Sequence, residues 1–190
     1  MDGLVGEEDS IQTEIPVNRT QVSVDEIEQA IGSLKNNSSP GPDGISVILT
    51  RNCCKTLNKP IQLIVNRTLD LGNVPTYLKK SIVTPIYKGG SRGSPSNYRP
   101  VALTSTISKI AEKIIKKRII DFCTENNKLN PNQHGFRTGR SCLSEILSNL
   151  NYYLEELESR KTIDVIYLDF AKAFDKVNHQ ILIRKLRVIY

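Results

Sequence analysis

The sequence predicts an α/β chain, rich in helix, with one β-hairpin and one further short strand. Three observations carry that expectation. Apolar residues recur at helical spacing in several long segments, most of them behind a serine, threonine or asparagine that can cap a helix. Two short runs, 81–88 and 100–103, flank a loop of glycine and serine, as the strands of a hairpin would. A third apolar run, 163–169, ends in a carboxylate, Asp169.

Residues 1–22 are polar and acidic with no sustained period, and are expected to form a flexible arm. Ser23-Val24-Asp25-Glu26 is a capping box, in which Ser23 and Glu26 can satisfy each other's orphan amides. Ile27, Ala30, Ile31 and Leu34 then repeat at helical spacing. Ser39-Pro40-Gly41-Pro42-Asp43-Gly44 cannot stay helical, because proline lacks the amide donor and glycine favours turns. A helix is expected over 46–58, and another restarting at Lys59-Pro60 with Ile61, Ile64, Val65 and Leu69 inside and Gly72 as its stop.

Ser81 to Lys88 reads as a strand, with Pro85 marking an edge or a bulge. Gly89 to Pro95 reads as a flexible tip, and Pro100 to Leu103 as the returning strand. Ser105 or Thr106 can cap a helix holding Ile107, Ile110, Ala111, Ile114, Ile115, Ile119 and Phe122, with Lys109, Lys113, Lys116 and Lys117 on its other face. After a loop over 126–140, Ser141 caps a helix with Leu143, Ile146, Leu147, Leu150, Leu154 and Leu157 inside. The strand 163–169 follows, and Asn178 caps a last helix through Ile181, Leu182, Leu186 and Ile189.

Charge is unevenly spread along the 190 residues. Residues 1–28 hold eight acids and one base, net −7, whereas residues 79–140 hold 13 bases and three acids, net +10. The basic middle suits a polyanion, or equally a solvated helix face. The four cysteines form no Cys-x-x-Cys pair, Cys53 and Cys54 are adjacent, and His134 and His179 stand apart, so neither a disulfide framework nor a zinc site is expected. Neither an apolar leader nor a membrane-length run occurs, which points to an intracellular chain, cytoplasmic or nuclear, with reduced thiols and no membrane partner.

Three strings carry chemistry. The first is Leu168-Asp169-Phe170-Ala171-Lys172-Ala173-Phe174-Asp175-Lys176-Val177. A carboxylate at a strand end can hold a divalent ion, and a bulky aromatic nearby can police a sugar pocket. By itself Asp169 could equally be a capping or ion-paired residue, and Asp175 suits such a structural role. The second string places Lys88 and Arg99 at the inner ends of the hairpin. A lysine point charge and an arginine fork suit the β and γ phosphates of a nucleotide, although the same residues also describe an ordinary basic hairpin. The glycines between lack Gly-Lys-Ser/Thr, so a P-loop is not expected. The third string is Gln133-His134-Gly135-Phe136-Arg137-Thr138-Gly139-Arg140-Ser141, where glycines permit close approach and arginines supply charge at a helix start.

Together with Ser39 to Gly44, these strings resemble, in order, the motifs of the reverse transcriptases of non-LTR retrotransposons. The resemblance covers nearly the whole chain from residue 23. It implies the fingers and first palm strand of a right-hand polymerase: fingers over 23–162 and the start of a truncated palm over 163–190. It also implies RNA-templated DNA synthesis with an RNA template, a DNA primer, a dNTP and Mg²⁺. Asp169 would be the catalytic metal ligand, joined by the carbonyl of Phe170. Lys88 and Arg99 would touch the triphosphate, and Phe174 would lie under the sugar. Gln133, Gly135 and Arg137 would line the template and nucleotide. The family's paired aspartates, Tyr-x-Asp-Asp, do not occur in this sequence, so the chain by itself is expected not to polymerise. The alternatives are a non-catalytic RNA-binding module and an inert truncated product.

Overall fold

In the computed structural model, residues 21–171 and 173–189 are described. The element order is α1 (Val24–Gly32), α2 (Val47–Asn52), α3 (Cys54–Leu71), β1 (Ser81–Tyr87), β2 (Tyr98–Thr104), α4 (Thr106–Glu125), α5 (Cys142–Glu158) and α6 (His179–Ile189). Two compact units result, one spanning Thr20–Cys123 and the other including Thr124–Tyr190. The acidic arm lies outside the described residues up to position 20.

The first unit is built on α1. Both bonds of the capping box are present: Glu26 N–H donates to Ser23 Oγ at 3.1 Å, and Ser23 N–H donates to Glu26 Oε2 at 2.9 Å. Val22 and Ile27, on either side of the cap, are both fully buried, at the two positions of a hydrophobic staple. Val22 therefore belongs to the core and not to a loose arm. The Asn66 and Gln62 side chains of α3 hold its backbone at 2.7–3.1 Å. Around it pack Ile31 and Leu34 near the end of α1, Val47 of α2, Ile61 and Val65 of α3, and Ile110 and Ile114 of α4. Each such side chain contributes about 1.5–3 kcal/mol by leaving water.

The helix break expected at Lys59 falls at Cys53 instead, and Pro60 sits inside α3. By Pro60 the helix is already nucleated, with Thr56 and Leu57 donating to the Cys53 carbonyl, and the buried Ile61 and Val65 hold it past the missing donor. Gly72 ends α3 in the left-handed region at φ 59°, where a side chain would be strained.

The Ser39–Gly44 turn is packed, not merely stiff. A Cβ on Gly41 would stand 2.5 Å from Ser105 N and Thr104 C, so only glycine lets the turn lie against the junction of β2 and α4. Thr106 Oγ1 donates to the Ile45 carbonyl at 2.6 Å across the same junction.

In the second unit, Ser141 caps α5 reciprocally with Ser144, and Asn178 Oδ1 caps α6 at Ile181 N–H. The leucine stripe of α5 forms as its spacing requires, yet none of its residues is buried. The strand expected over 163–169 does not form. The segment carries no ladder among the described residues, and Ile166, Tyr167 and Leu168 are 82–88% exposed. β-propensity needs a neighbour to bond and pack against, and none is described beside this run.

Candidate functional site

The hairpin orders the first group of candidate residues. β1 and β2 pair antiparallel with Ile86 opposite Arg99, Tyr87 opposite Tyr98, and Pro85 opposite Pro100. The pairing extends one step further, Lys88 N–H donating to the Asn97 carbonyl at 2.9 Å. Hydrogen-bonded and non-bonded pairs alternate along such a ladder. Pairs 88–97 and 86–99 are then the bonded ones, and the two prolines fall opposite each other where no donor is needed. Pro85 thus marks no bulge. Because side chains alternate between faces, Lys88 and Arg99 share one face as diagonal neighbours. Both are exposed, and neither side chain has a hydrogen bond or ion pair among the described residues.

The tip was expected to be flexible. It is instead folded onto itself. Asn97 Nδ2 donates to the Ser91 carbonyl at 2.8 Å, Tyr98 OH to the Arg92 carbonyl at 3.0 Å, and Tyr87 OH to the Gly90 carbonyl. Gly90, at φ 91°, lies against the Asn97 amide, where a Cβ would approach to 2.7 Å. On the face opposite Lys88 and Arg99, the Tyr87 and Tyr98 rings lie 5.6 Å apart, and the Arg92 guanidinium stands 5.5 Å from the Tyr87 centroid. Sequence reading did not single out these three residues. The tyrosines are eleven positions apart, and only the register makes them partners.

The second group lies in the unit that includes Thr124–Tyr190. Gln133 Nε2 donates to the Gly135 carbonyl at 3.0 Å, and Arg137 Nη1 donates to the Asn130 carbonyl at 2.9 Å. His134 is buried between Arg140, whose Nη1 is 3.1 Å from His134 Nε2, and Ser144, whose Oγ is 2.8 Å from Nδ1. Guanidinium only donates, so Nε2 accepts, and Nδ1 carries the hydrogen toward Ser144. His134 is therefore a structural pin between the loop and the start of α5. Gly139 needs its left-handed φ of 75°. Gly135 needs none, and a Cβ there would meet nothing within 4 Å. Its bareness serves no internal packing, which leaves room for a ligand to approach its backbone.

Phe136 adopts φ 61°, an uncommon conformation for a bulky residue, with its ring 84% exposed. That ring meets Phe174 edge-on at 6.2 Å. Loop 126–140 and the Phe174–Lys176 turn are thereby brought together. Asp169 and Phe170 lie on the irregular, exposed segment before that turn, and Asp169 has no hydrogen bond or ion pair among the described residues. Lys88 and Arg99 belong to the other unit.

A divalent ion was expected at Asp169 and the Phe170 carbonyl. Among the described residues no group of three or more His, Cys, Asp or Glu side chains gathers anywhere. One carboxylate and one carbonyl can supply two of the roughly six oxygen ligands that Mg²⁺ takes, the rest falling to water and substrate phosphate. The basic face expected on α4 is also smaller than its four lysines suggest. Lys113 Nζ donates to Ser33 O and Ser33 Oγ, both at 2.7 Å, and Lys109 Nζ to Ser39 O at 2.9 Å. They join Arg51, which bonds the Gly32 and Leu34 carbonyls, in satisfying the chain around the end of α1. Lys116 and Lys117 remain exposed.

Comparison with known proteins identifies the family of the chain as a whole. The model of the family described as reverse transcriptase (RNA-dependent DNA polymerase) matches residues 79–189, more than half of the chain. The probable RNA-directed DNA polymerase from transposon BS of Drosophila melanogaster is 30% identical over 184 residues, covering 96% of this chain and 20% of that protein. The retrovirus-related Pol polyprotein from type-1 retrotransposable element R2 of Popillia japonica is 34% identical over 167 residues, covering 87% of this chain and 22% of that protein. The RNA-directed DNA polymerase from mobile element jockey of Drosophila melanogaster is 28% identical over 185 residues, covering 96% and 20%. The chain thus spans about a fifth of the length of these relatives. No helix among the described residues is long and apolar enough to cross a membrane. The chain belongs to the reverse transcriptase (RNA-dependent DNA polymerase) family.

Proposed function

We propose that this chain is the fingers region and first palm motif of a polymerase that copies RNA into DNA, with Lys88 and Arg99 as its triphosphate contacts. The observation that carries the reading is the hairpin register: it sets an unpartnered lysine and an unpartnered arginine as diagonal neighbours on one face. A triphosphate is a cluster of charge that needs such a pair, and the arginine fork can hold two oxygens at once. Residues 23–162 would be the fingers and 163–190 the start of the palm.

The remaining roles follow the same reading. The Gln133–Arg137 loop would run along the template and incoming nucleotide, its bare Gly135 backbone allowing close approach. Phe174 would lie beneath the sugar, steadied by the edge of Phe136, and would reject a 2′-hydroxyl. Mg²⁺ would supply activation of the primer hydroxyl and neutralisation of phosphate charge. Asp169 and the Phe170 carbonyl would be two of its donors. The template would be RNA and the primer DNA.

The test is calorimetric titration of the chain with dTTP, dTDP and dTMP. Affinity should fall with each phosphate removed. Lys88→Ala and Arg99→Ala should each weaken dTTP about tenfold, which is about 1.4 kcal/mol. Lys116→Ala should not. If both hairpin variants bind dTTP as the parent does, the assignment is wrong.

A further inference from the structure

The hairpin has a second face, and its chemistry differs from the first. Lys88 and Arg99 project from one side of the ladder, while Tyr87, Tyr98, Pro85 and Pro100 project from the other. Tyr87 and Tyr98 occupy a non-hydrogen-bonded pair, where strands approach closest, and their rings stand 5.6 Å apart. Each hydroxyl is tied to a tip carbonyl, Tyr87 to Gly90 and Tyr98 to Arg92, so the rings are held by both ends. Arg92 covers one side of Tyr87 at 5.5 Å, and its side chain has no acidic partner among the described residues. Tyr87 nonetheless keeps 39% of its surface in solvent.

We infer that this Tyr87–Tyr98–Arg92 face is a stacking platform for unpaired bases of a single-stranded nucleic acid, separate from the triphosphate face. Two features favour that occupant over a protein surface. Residues 79–104 contain Lys79, Lys80, Lys88, Arg92 and Arg99 and no acid, so the whole ribbon attracts a polyanion. Pinned aromatic rings beside an unpaired guanidinium match what an unpaired base and its phosphate require. The two faces point opposite ways, so strand and triphosphate can bind together. The inference rests on the proposed function only in taking the polyanion to be a nucleic acid.

The test uses the whole chain and two fluorescein-labelled single strands of equal length, one RNA and one abasic. Phosphate charge is the same in both, so a preference for the first measures stacking. The parent should prefer the base-bearing strand by about five- to a hundredfold per stacked base. Tyr87→Leu and Tyr98→Leu should erase that preference. Tyr87→Phe, which loses the bond to Gly90 but keeps the ring, should retain it. Arg92→Gln should weaken both strands. Excess dTTP should leave the strand bound. The inference is overturned if the parent binds both strands alike, or if the preference survives both leucine variants. It is also overturned if Tyr87→Phe behaves as Tyr87→Leu does, or if dTTP displaces the strand. Lys88→Ala and Arg99→Ala should weaken dTTP without changing the ratio between the two strands, so failure of one reading is distinguishable from failure of the other.

Discussion

Replacing Gly41 by alanine should destabilise the first unit far more than one methyl group ordinarily does. The added Cβ would stand 2.5 Å from Ser105 N and Thr104 C and 2.6 Å from Thr104 O. All three are backbone atoms and cannot rotate away. Ordinary contact begins at 3.4 Å, so the turn must retreat by 3.4 − 2.5 = 0.9 Å. That retreat stretches the 2.6 Å Thr106–Ile45 bond and the 2.9 Å Lys109–Ser39 bond toward or past 3.5 Å, where neither is a good hydrogen bond. Overpacking costs about 1–3 kcal/mol. The two weakened bonds add about 1–3 kcal/mol between them. A loss of about 2–5 kcal/mol is a large share of the 5–15 kcal/mol typical of a domain.

Gly32→Ala supplies the control. Its Cβ meets nothing within 4 Å, and a helical alanine gains about 0.5–1 kcal/mol over glycine. Urea unfolding followed by circular dichroism should move the two variants in opposite directions. If Gly41→Ala unfolds within about 0.5 kcal/mol of the parent, the surface-substitution range, the packing argument for this turn fails.

Glu26 gives a pH dependence. Burial pushes its carboxyl up, but the Ser23 amide, the Arg118 guanidinium and the Ser23 hydroxyl together outweigh that and hold it below its ordinary value. The folded state then binds fewer protons, so this contribution is present above about pH 4.3 and is lost as pH falls through the folded value. Glu26→Gln, which keeps the cap, should flatten the acid limb of a stability-against-pH curve, and an unchanged limb would discount the pair. Lys113→Met should cost about 0.5–1.5 kcal/mol by removing the charged donor to Ser33 O, while Lys116→Met should be neutral in the same denaturation assay. The chain by itself should not extend a primer on an RNA template with Mg²⁺, because Asp169, with no second carboxylate gathered beside it among the described residues, cannot place two ions. Template-dependent incorporation abolished by Asp169→Ala would refute that.

Local chemistry alone determined much of this protein. The Ser23–Glu26 box, the Ser141 and Asn178 caps, the Gly72 stop and the helical stripes all depend on residues a few positions apart, so spacing is enough to read them. The motif strings around Lys88, Arg99, Gln133 and Asp169 were legible for the same reason, and they led to the family.

Tertiary structure decided what depends on partners distant in sequence. It placed Gly41 against Ser105, turned Lys109 and Lys113 from a charged face into caps for distant carbonyls, and drew Val22 into the core. It carried α3 through Pro60, because burial of Ile61 and Val65 outweighs one missing donor. Through the register it separated the Lys88–Arg99 face from the Tyr87–Tyr98 face. It left 163–169 without a ladder, since a strand exists only when another chain segment bonds to it. Capping and periodicity are short-range effects that a sequence displays directly, whereas close approach, register and pairing are set by which distant residues the fold brings into contact.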